Sequence, residues 1–291
     1  MRKQFGRFGQ AVSLLMIVVL LLSTSAAFAG GGPNTIDGRT LEWKGQVNPR
    51  IHFEEISYSQ GVIMATLDGE AVYLRVHNWD FLTIERTGVQ CSNPVFDGDG
   101  FIGYDTDGRL SHWNAHMTPT TLTQMTFKSP VKPEARPDGL VNFGGDSQIV
   151  SQTPGPGNPN GFQTINIGNK KKLLSFASAP EGIYFTASEG SEKPMLYLAQ
   201  WAGKGYKITD TGMQAEQVVY GAQRLYLIDK WGVTSWVNQG GKLVRDAIIS
   251  ATASPYVLAG GDGEHVYYLD GYTNVNAVGI PPDGKGIREI P

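Results

Sequence analysis

The nonamer GFIGYDTDG (residues 100–108) has a counterpart 39 residues earlier, GVIMATLDG (residues 61–69). Gly61, Ile63, Asp68 and Gly69 fall on Gly100, Ile102, Asp107 and Gly108. A period of this length means a chain built from one supersecondary unit, which cannot bury its own faces and must stack on its neighbours. The same apolar strand begins again along the whole chain: Val62 (VIMAT), Phe101 (FIGY), Leu140 (LVNF), Ile183 (IYFT), Leu225 (LYLI) and Val266 (VYYL). The spacings are 39, 39, 43, 42 and 41 residues.

Most copies continue through a turn rich in Asp or Gly into a second strand: AVYLRV, RLSHWN, FQTINI, MLYLAQ, VTSWVN and VNAVG. Many add a third, such as FLTIER, LTQMTF, YKITD, KLVRD and GIREI. A shorter strand precedes most copies (FEEISYS, NPVFD, SFASAP, QVVYG, PYVLAG), with only EARPDG in that place in the third. Four short strands per unit predict an all-β fold, a six-bladed β-propeller of four-stranded blades. The 37 glycines and 16 prolines suit frequent turns and oppose helices. The blades are expected at 52–89, 90–131, 132–172, 173–214, 215–254 and 255–291, with residues 40–48 supplying an N-terminal strand that closes the sixth. GIREI (286–290) competes for that outer position. The pattern G-x-I-Y-F, then D-G, then L-Y-x-W resembles the repeats of secreted bacterial propellers, including those likened to lipoprotein-receptor propellers. The resemblance covers nearly all of residues 40–291 and implies a fold, not an activity.

The first 29 residues read as a signal peptide. Arg2, Lys3 and Arg7 precede a twelve-residue apolar run, Ala11 to Leu22, and Ala27-Phe28-Ala29 supplies the cleavage pattern. The run is too short to span a bilayer, so the mature chain is expected outside the cytoplasm, secreted or periplasmic, with no membrane insertion. Residues 30–39 read as a flexible leader and 40–291 as one propeller domain. Removing three basic residues leaves 21 basic against 27 acidic, a net charge of −6. That balance argues against nucleic acid as a partner. Cys91 is the only cysteine, so no disulfide can form within the chain. It reads as a small buried apolar residue.

Four aspartates, Asp97, Asp99, Asp105 and Asp107, crowd the quoted segment, and calcium is the alternative to turn chemistry. A helix-flanked calcium loop wants an oxygen ligand at position five and a Glu at twelve. Position five from Asp97 is Phe101. The aspartates therefore read as hairpin-turn residues, and no cofactor or metal is assigned. His112 and His116 stand four apart on or just past a strand, roughly 13 Å at ~3.3 Å per residue, too far to share an ion. His77 and His116 occupy equivalent places in adjacent repeats but lack a third ligand. No G-x-S-x-G elbow occurs, and no carboxylate pair of the glycosidase kind is singled out by context.

Binding is the better reading. The turns between second and third strands emerge on one face, carrying Asp68, Asp107, Asp146, Glu189, Glu192, Asp229 and Asp270 with Trp231 and Tyr272. The long segment GGDSQIVSQTPGPGNPNG (144–161) is expected there too, as an enlarged turn of the third blade. Carboxylates beside aromatic rings suit a carbohydrate, peptide or protein ligand. The candidate ligand-binding residues are Asp68, Asp107, Asp146, Asp229, Trp231, Asp270 and Tyr272, on a chain read as a monomer. The alternatives are an extracellular carbohydrate-active hydrolase or lyase, and a structural part of a cell-surface complex.

Overall fold

In the computed structural model, the described residues are 34–36, 39–41, 53–77, 81–136, 138–153, 161–250, 256–261, 265–270 and 274–279. They are strands and turns. Five four-stranded antiparallel sheets follow one another along the chain, at 53–90, 92–126, 130–166, 171–214 and 217–250. A sixth sheet at 256–279 has three strands. Each is a simple up-and-down meander, and we number them blades 1 to 6. The fold is thus the expected all-β propeller. The difference from expectation is that five blades are complete among the described residues, not six. Arg39–Leu41 pairs with Asn34–Ile36 in a two-stranded sheet, at the boundary between the stretch read as a leader (30–39) and the strand expected to close the sixth blade (40–48). The signal segment, residues 42–52 and GIREI lie outside the described residues. No helix among the described residues is long and apolar enough to cross a membrane.

The first strand of each blade is innermost, and these inner strands pack against one another in sequence, with Tyr256–Gly261 of blade 6 returning to Phe53–Ser59 of blade 1. Period-two alternation explains why the second strands are apolar at consecutive positions. A central strand has both faces buried, one against each neighbouring blade. Ile63, Ala65 and Leu67 join Tyr267 and Leu269 at the joint between blades 6 and 1, while Met64 turns the other way toward Phe101 and Trp113 of blade 2. Likewise Leu225 and Leu227 face blade 4, whereas Tyr226 and Ile228 face blade 6. Six apolar clusters result, one at each joint of the ring. Each large side chain fully buried there contributes about 1.5–3 kcal/mol. Outer strands carry little of this. Pro119–Thr126 is largely exposed, consistent with its threonines.

Two readings need correction in blade 3. Its third strand is Gln148–Gln152, joined to Val141–Gly145 by a tight turn at Asp146 and Ser147. FQTIN is therefore the fourth strand, not the third. Residues 154–160 of the long segment lie outside the described residues, but its flanks, Thr153 and Gly161, follow the third strand and stand at the opposite end of the blade from the one expected. Its base is pinned by the Thr153 N–H donating to the Gly161 carbonyl at 2.7 Å.

Candidate functional site

An inner strand is a sheet edge. Half its N–H and C=O groups point away from its own blade and need partners. Side chains from the preceding blade supply them. The Asn93 N–H donates to the Glu55 carboxylate, Ser178 N–H to Glu134 at 2.9 Å, Val218 N–H to Ser175 Oγ at 2.8 Å, and Leu258 N–H to Gln217 Oε1 at 2.9 Å. These stitches span 38, 44, 43 and 41 residues, the repeat itself. Burial pushes the Glu55 carboxyl above its usual range, opposed by hydrogen bonds from the Asn93 N–H and the Thr66 hydroxyl. Glu134 also accepts from the Ser178 hydroxyl at 2.6 Å and the Asn142 amide at 3.1 Å.

Lys132 departs from this pattern. Its Nζ crosses the axis from blade 3, donating to the carbonyls of Leu258 (2.6 Å) and Ala259 (3.1 Å) in blade 6 and Ile56 (3.4 Å) in blade 1. The stem lines open space, so the residue as a whole is only part-buried, but the ammonium sits in the interior. Burial holds it down at about 8, against the opposing pull of Glu55 and Glu134.

Two cavities lie on the axis, lined by inner strands, and both have Lys132, Phe176 and Val219 in their walls. The smaller, about 180 Å³, lies on the Glu55 side. The larger, about 860 Å³, opens among the turns that follow the inner strands, at Gln60, Asp138, Glu181 and Ala222. Small residues at the inner-strand ends, including Ala179, Gly221, Gly260 and Gly261, leave this mouth wide. Its rim on blade 4 carries Trp201, 52% exposed, set against Tyr206 at 5.3 Å between ring centroids and 70° between planes. The Gln200 amide donates to the Glu181 carbonyl at 3.1 Å and ties this hairpin to the turn. One Glu181 carboxylate oxygen, Oε1, accepts from the Tyr184 hydroxyl and the Asn238 amide, both at 2.8 Å. A lining of aromatic rings, amides and carboxylates over a polar floor can hold a small hydroxylated or charged ligand.

The residues singled out in the sequence lie elsewhere. Asp68, Asp107, Asp146, Asp229 and Trp231 all occupy turns between second and third strands, the far end of the strands from the mouth. Each aspartate has a local partner. Asp68 sits at φ 53° before Gly69 at φ 76° and contacts Arg86 at 3.5 Å; Asp107 pairs with Arg109. Asp146 accepts from the Lys128 and Ser129 N–H groups at 3.2 and 3.1 Å. Asp229 accepts from the Trp231 N–H at 2.7 Å and the Thr234 hydroxyl at 2.6 Å. Trp231 is 47% exposed, with Lys230 and Arg245 at 5.0 and 5.2 Å from its ring. Asp270 ends the strand His265–Asp270, and Tyr272 lies outside the described residues.

The four crowded aspartates divide between two turns. Asp97 Oδ1 accepts from the Asp99 and Gly100 N–H groups, and Asp105 Oδ1 from those of Asp107 and Arg109. The strand Gly100–Tyr104 holds the two pairs apart, by on the order of 15–20 Å at ~3.3 Å per residue. His112 Nε2 lies 3.0 Å from Asp97 Oδ2. Cys91 is buried, and burial pushes its thiol up. The sequence reading missed Lys132. The signal was there: two residues before the stitching side chain, blades 1, 4 and 5 place Phe53, Leu173 and Ala215, where blade 3 has a cation.

No protein-family model matches the chain, and no curated protein matches it. Among solved structures it is similar to a gluconolactonase from Xanthomonas campestris, with a TM-score of 0.58 and 11% identity over 87% of this chain and 96% of that one. It is also similar to a chain of a nidogen/laminin complex, with a TM-score of 0.53 and 12% identity over 82% and 91%. At such identities the likeness shows the propeller fold alone.

Proposed function

We propose that the protein is an extracytoplasmic binding module that takes its ligand into the axial mouth. The observation that carries this is the large cavity described above, to which the inner strands of all six blades contribute lining residues. Propellers offer no better-shaped concave site than the axis, where turns from several blades converge. The extracytoplasmic placement rests on the signal-like first 29 residues. Carbohydrate, peptide and protein remain the ligand classes, and the mouth favours a small ligand or a protruding part of a larger one.

The test uses the burial of the chain's own thiol to advantage. Ser59 lines the mouth, so Ser59→Cys presents one reactive thiol while Cys91 stays protected. A ligand is first found by thermal shift across a panel of glycans, peptides and polyamines. Coupling a bulky maleimide to the thiol of the Ser59→Cys variant should then abolish capture, and the same label on a Trp231→Cys variant should leave capture intact. Loss of capture on the Trp231 side alone would move the site to the acidic turn face and overturn this reading.

A further inference from the structure

We infer that the cleft between blades 3 and 4 at the mouth holds a neutral sugar ring, with Trp201 as its stacking platform and Asn142 and Ser151 as partners of its hydroxyls. This rests on the mouth being the binding site and adds the place and the class of what it binds. Ladder register sets the two walls of the cleft. In blade 3, Glu134, Asn142, Ser151 and Gln163 form one row across the four strands. In blade 4, Ser178, Ile183, Ala199 and Ile208 form another. The Asn142 amide donates to the Ser178 hydroxyl at 2.6 Å, so the two rows face each other at one level. Packing agrees. Val141 and Phe143, on either side of Asn142, pack toward blade 2, whereas Ile149, two residues before Ser151, shares a cluster with Ile183 and Ala199.

The aromatic pair stands one step nearer the mouth on the same joint. Trp201 follows Ala199 by two residues and pairs with Tyr206, which packs against that same cluster. Two residues at ~3.3 Å each place Trp201 roughly 7 Å from the polar row, a step that one sugar ring can span. Tyr206 braces the indole from the neighbouring strand, and half of Trp201 stays exposed. Asn142, Ser151, Trp201 and Tyr206 all line the larger cavity.

The polar row suits hydroxyls. Asn142 Nδ2 also donates to Glu134 Oε2 at 3.1 Å. An inverted amide would set oxygen against that carboxylate, so the network fixes which atom is Oδ1. Oδ1 is buried and accepts no hydrogen bond among the described residues, in a side chain only 1% exposed. A buried acceptor in that state calls for a donor. Ser151, also buried, adds a hydroxyl that can both give and take. An ammonium only gives and a carboxylate only takes, whereas a sugar hydroxyl does both. Glu134 is saturated by the Ser178 N–H and hydroxyl together with the Asn142 amide. At the inner rim Arg136 contacts Asp138 and keeps other guanidinium N–H groups for a ligand oxygen. Paired in this way it adds donors without net charge. The apolar face of the sugar then covers the exposed indole.

Isothermal titration of the mature full chain with methyl glucoside, cellobiose, maltose and diacetylchitobiose tests this. Methyl glucuronide and glucosamine are the charged controls. At least one neutral sugar should bind, with affinity about tenfold lower in Trp201→Ala and unchanged in Trp231→Ala. Ser151→Ala should weaken it about fivefold, and a deoxy analogue lacking the partnered hydroxyl should then lose nothing further. If every deoxy analogue loses as much in Ser151→Ala as in the natural chain, the role of Ser151 is overturned. A charged control binding tenfold tighter than methyl glucoside, or unchanged affinity in Trp201→Ala, overturns the sugar assignment. If no sugar binds but the label on Ser59→Cys blocks another ligand of the panel, that assignment falls while the mouth stands. If the label changes no binding, the mouth reading itself fails.

Discussion

Lys132 of blade 3 donates its ammonium to the Leu258 carbonyl of blade 6 at 2.6 Å, while the Leu258 N–H donates to Gln217 of blade 5. In an antiparallel edge strand the N–H and C=O of one residue point the same way. Both Leu258 groups therefore face the axis, and side chains from two other blades satisfy them.

Replacing Lys132 by Met keeps the stem and removes the donor. The carbonyls of Leu258, Ala259 and Ile56 then lose their cross-axis partner, at a cost of about 1–3 kcal/mol for each buried group left unsatisfied. Lys132→Met should lower the guanidinium midpoint without changing the slope. The pH dependence has a definite sign. The folded pKa of about 8 lies below the unfolded value of 10.5. The unfolded state thus binds more protons between these values, and stability rises with pH across that window by up to ~1.4 kcal/mol per unit. Below pH 8 the full cost of the buried charge is present. Denaturation between about pH 7 and 10.5 should show this rise in the natural chain and its loss in Lys132→Met.

Glu55 gives the acidic counterpart. Burial raises its folded pKa above the ordinary value of 4.5. The folded state therefore holds a proton that the unfolded state has released, so stability falls as pH climbs from 4.5 through the folded pKa. Glu55→Gln retains an acceptor for the Asn93 N–H and Thr66 hydroxyl. Its stability curve should be flatter over that range than that of the natural chain, by urea unfolding.

Gly221 approaches blade 6 so closely that an added Cβ would lie 2.2 Å from the Gly261 carbonyl oxygen. Backbone rather than a flexible side chain stands in the way. Gly221→Ala should cost about 1–3 kcal/mol through overpacking. Because Gly221 lines the mouth, the same variant should weaken capture of whatever ligand the panel reveals.

Asp229 holds its turn through two side-chain hydrogen bonds. Asp229→Ala should lower stability by about 1–2 kcal/mol while ligand affinity at the mouth stays unchanged. A calorimetric melt and a titration on the same preparation check both halves.

Much of the ring was legible because alternation along a strand buried on both sides leaves consecutive apolar residues. Leu225-Tyr226-Leu227-Ile228 could be placed without knowing which joint each residue serves. Gln148–Gln152 was not legible as a strand. Its polar ends follow Gly144, Gly145 and Asp146, which read as one long turn. The inner strand Pro130–Ala135 was obscured by Pro130 and Pro133, tolerated there because an inner edge lacks a ladder partner on one side. The mouth was hidden for another reason. Turn composition reports which residues can reverse the chain, whereas the width of an axial opening depends on small residues far apart in sequence, such as Ala179, Gly221 and Gly261, arriving at one place.

Lys132 lines both axial cavities while its ammonium is held by carbonyls of blades 6 and 1. One side chain thus couples the wall of the larger space to the seam where the ring returns to its first blade, so crowding at that depth would be felt as strain at the closure.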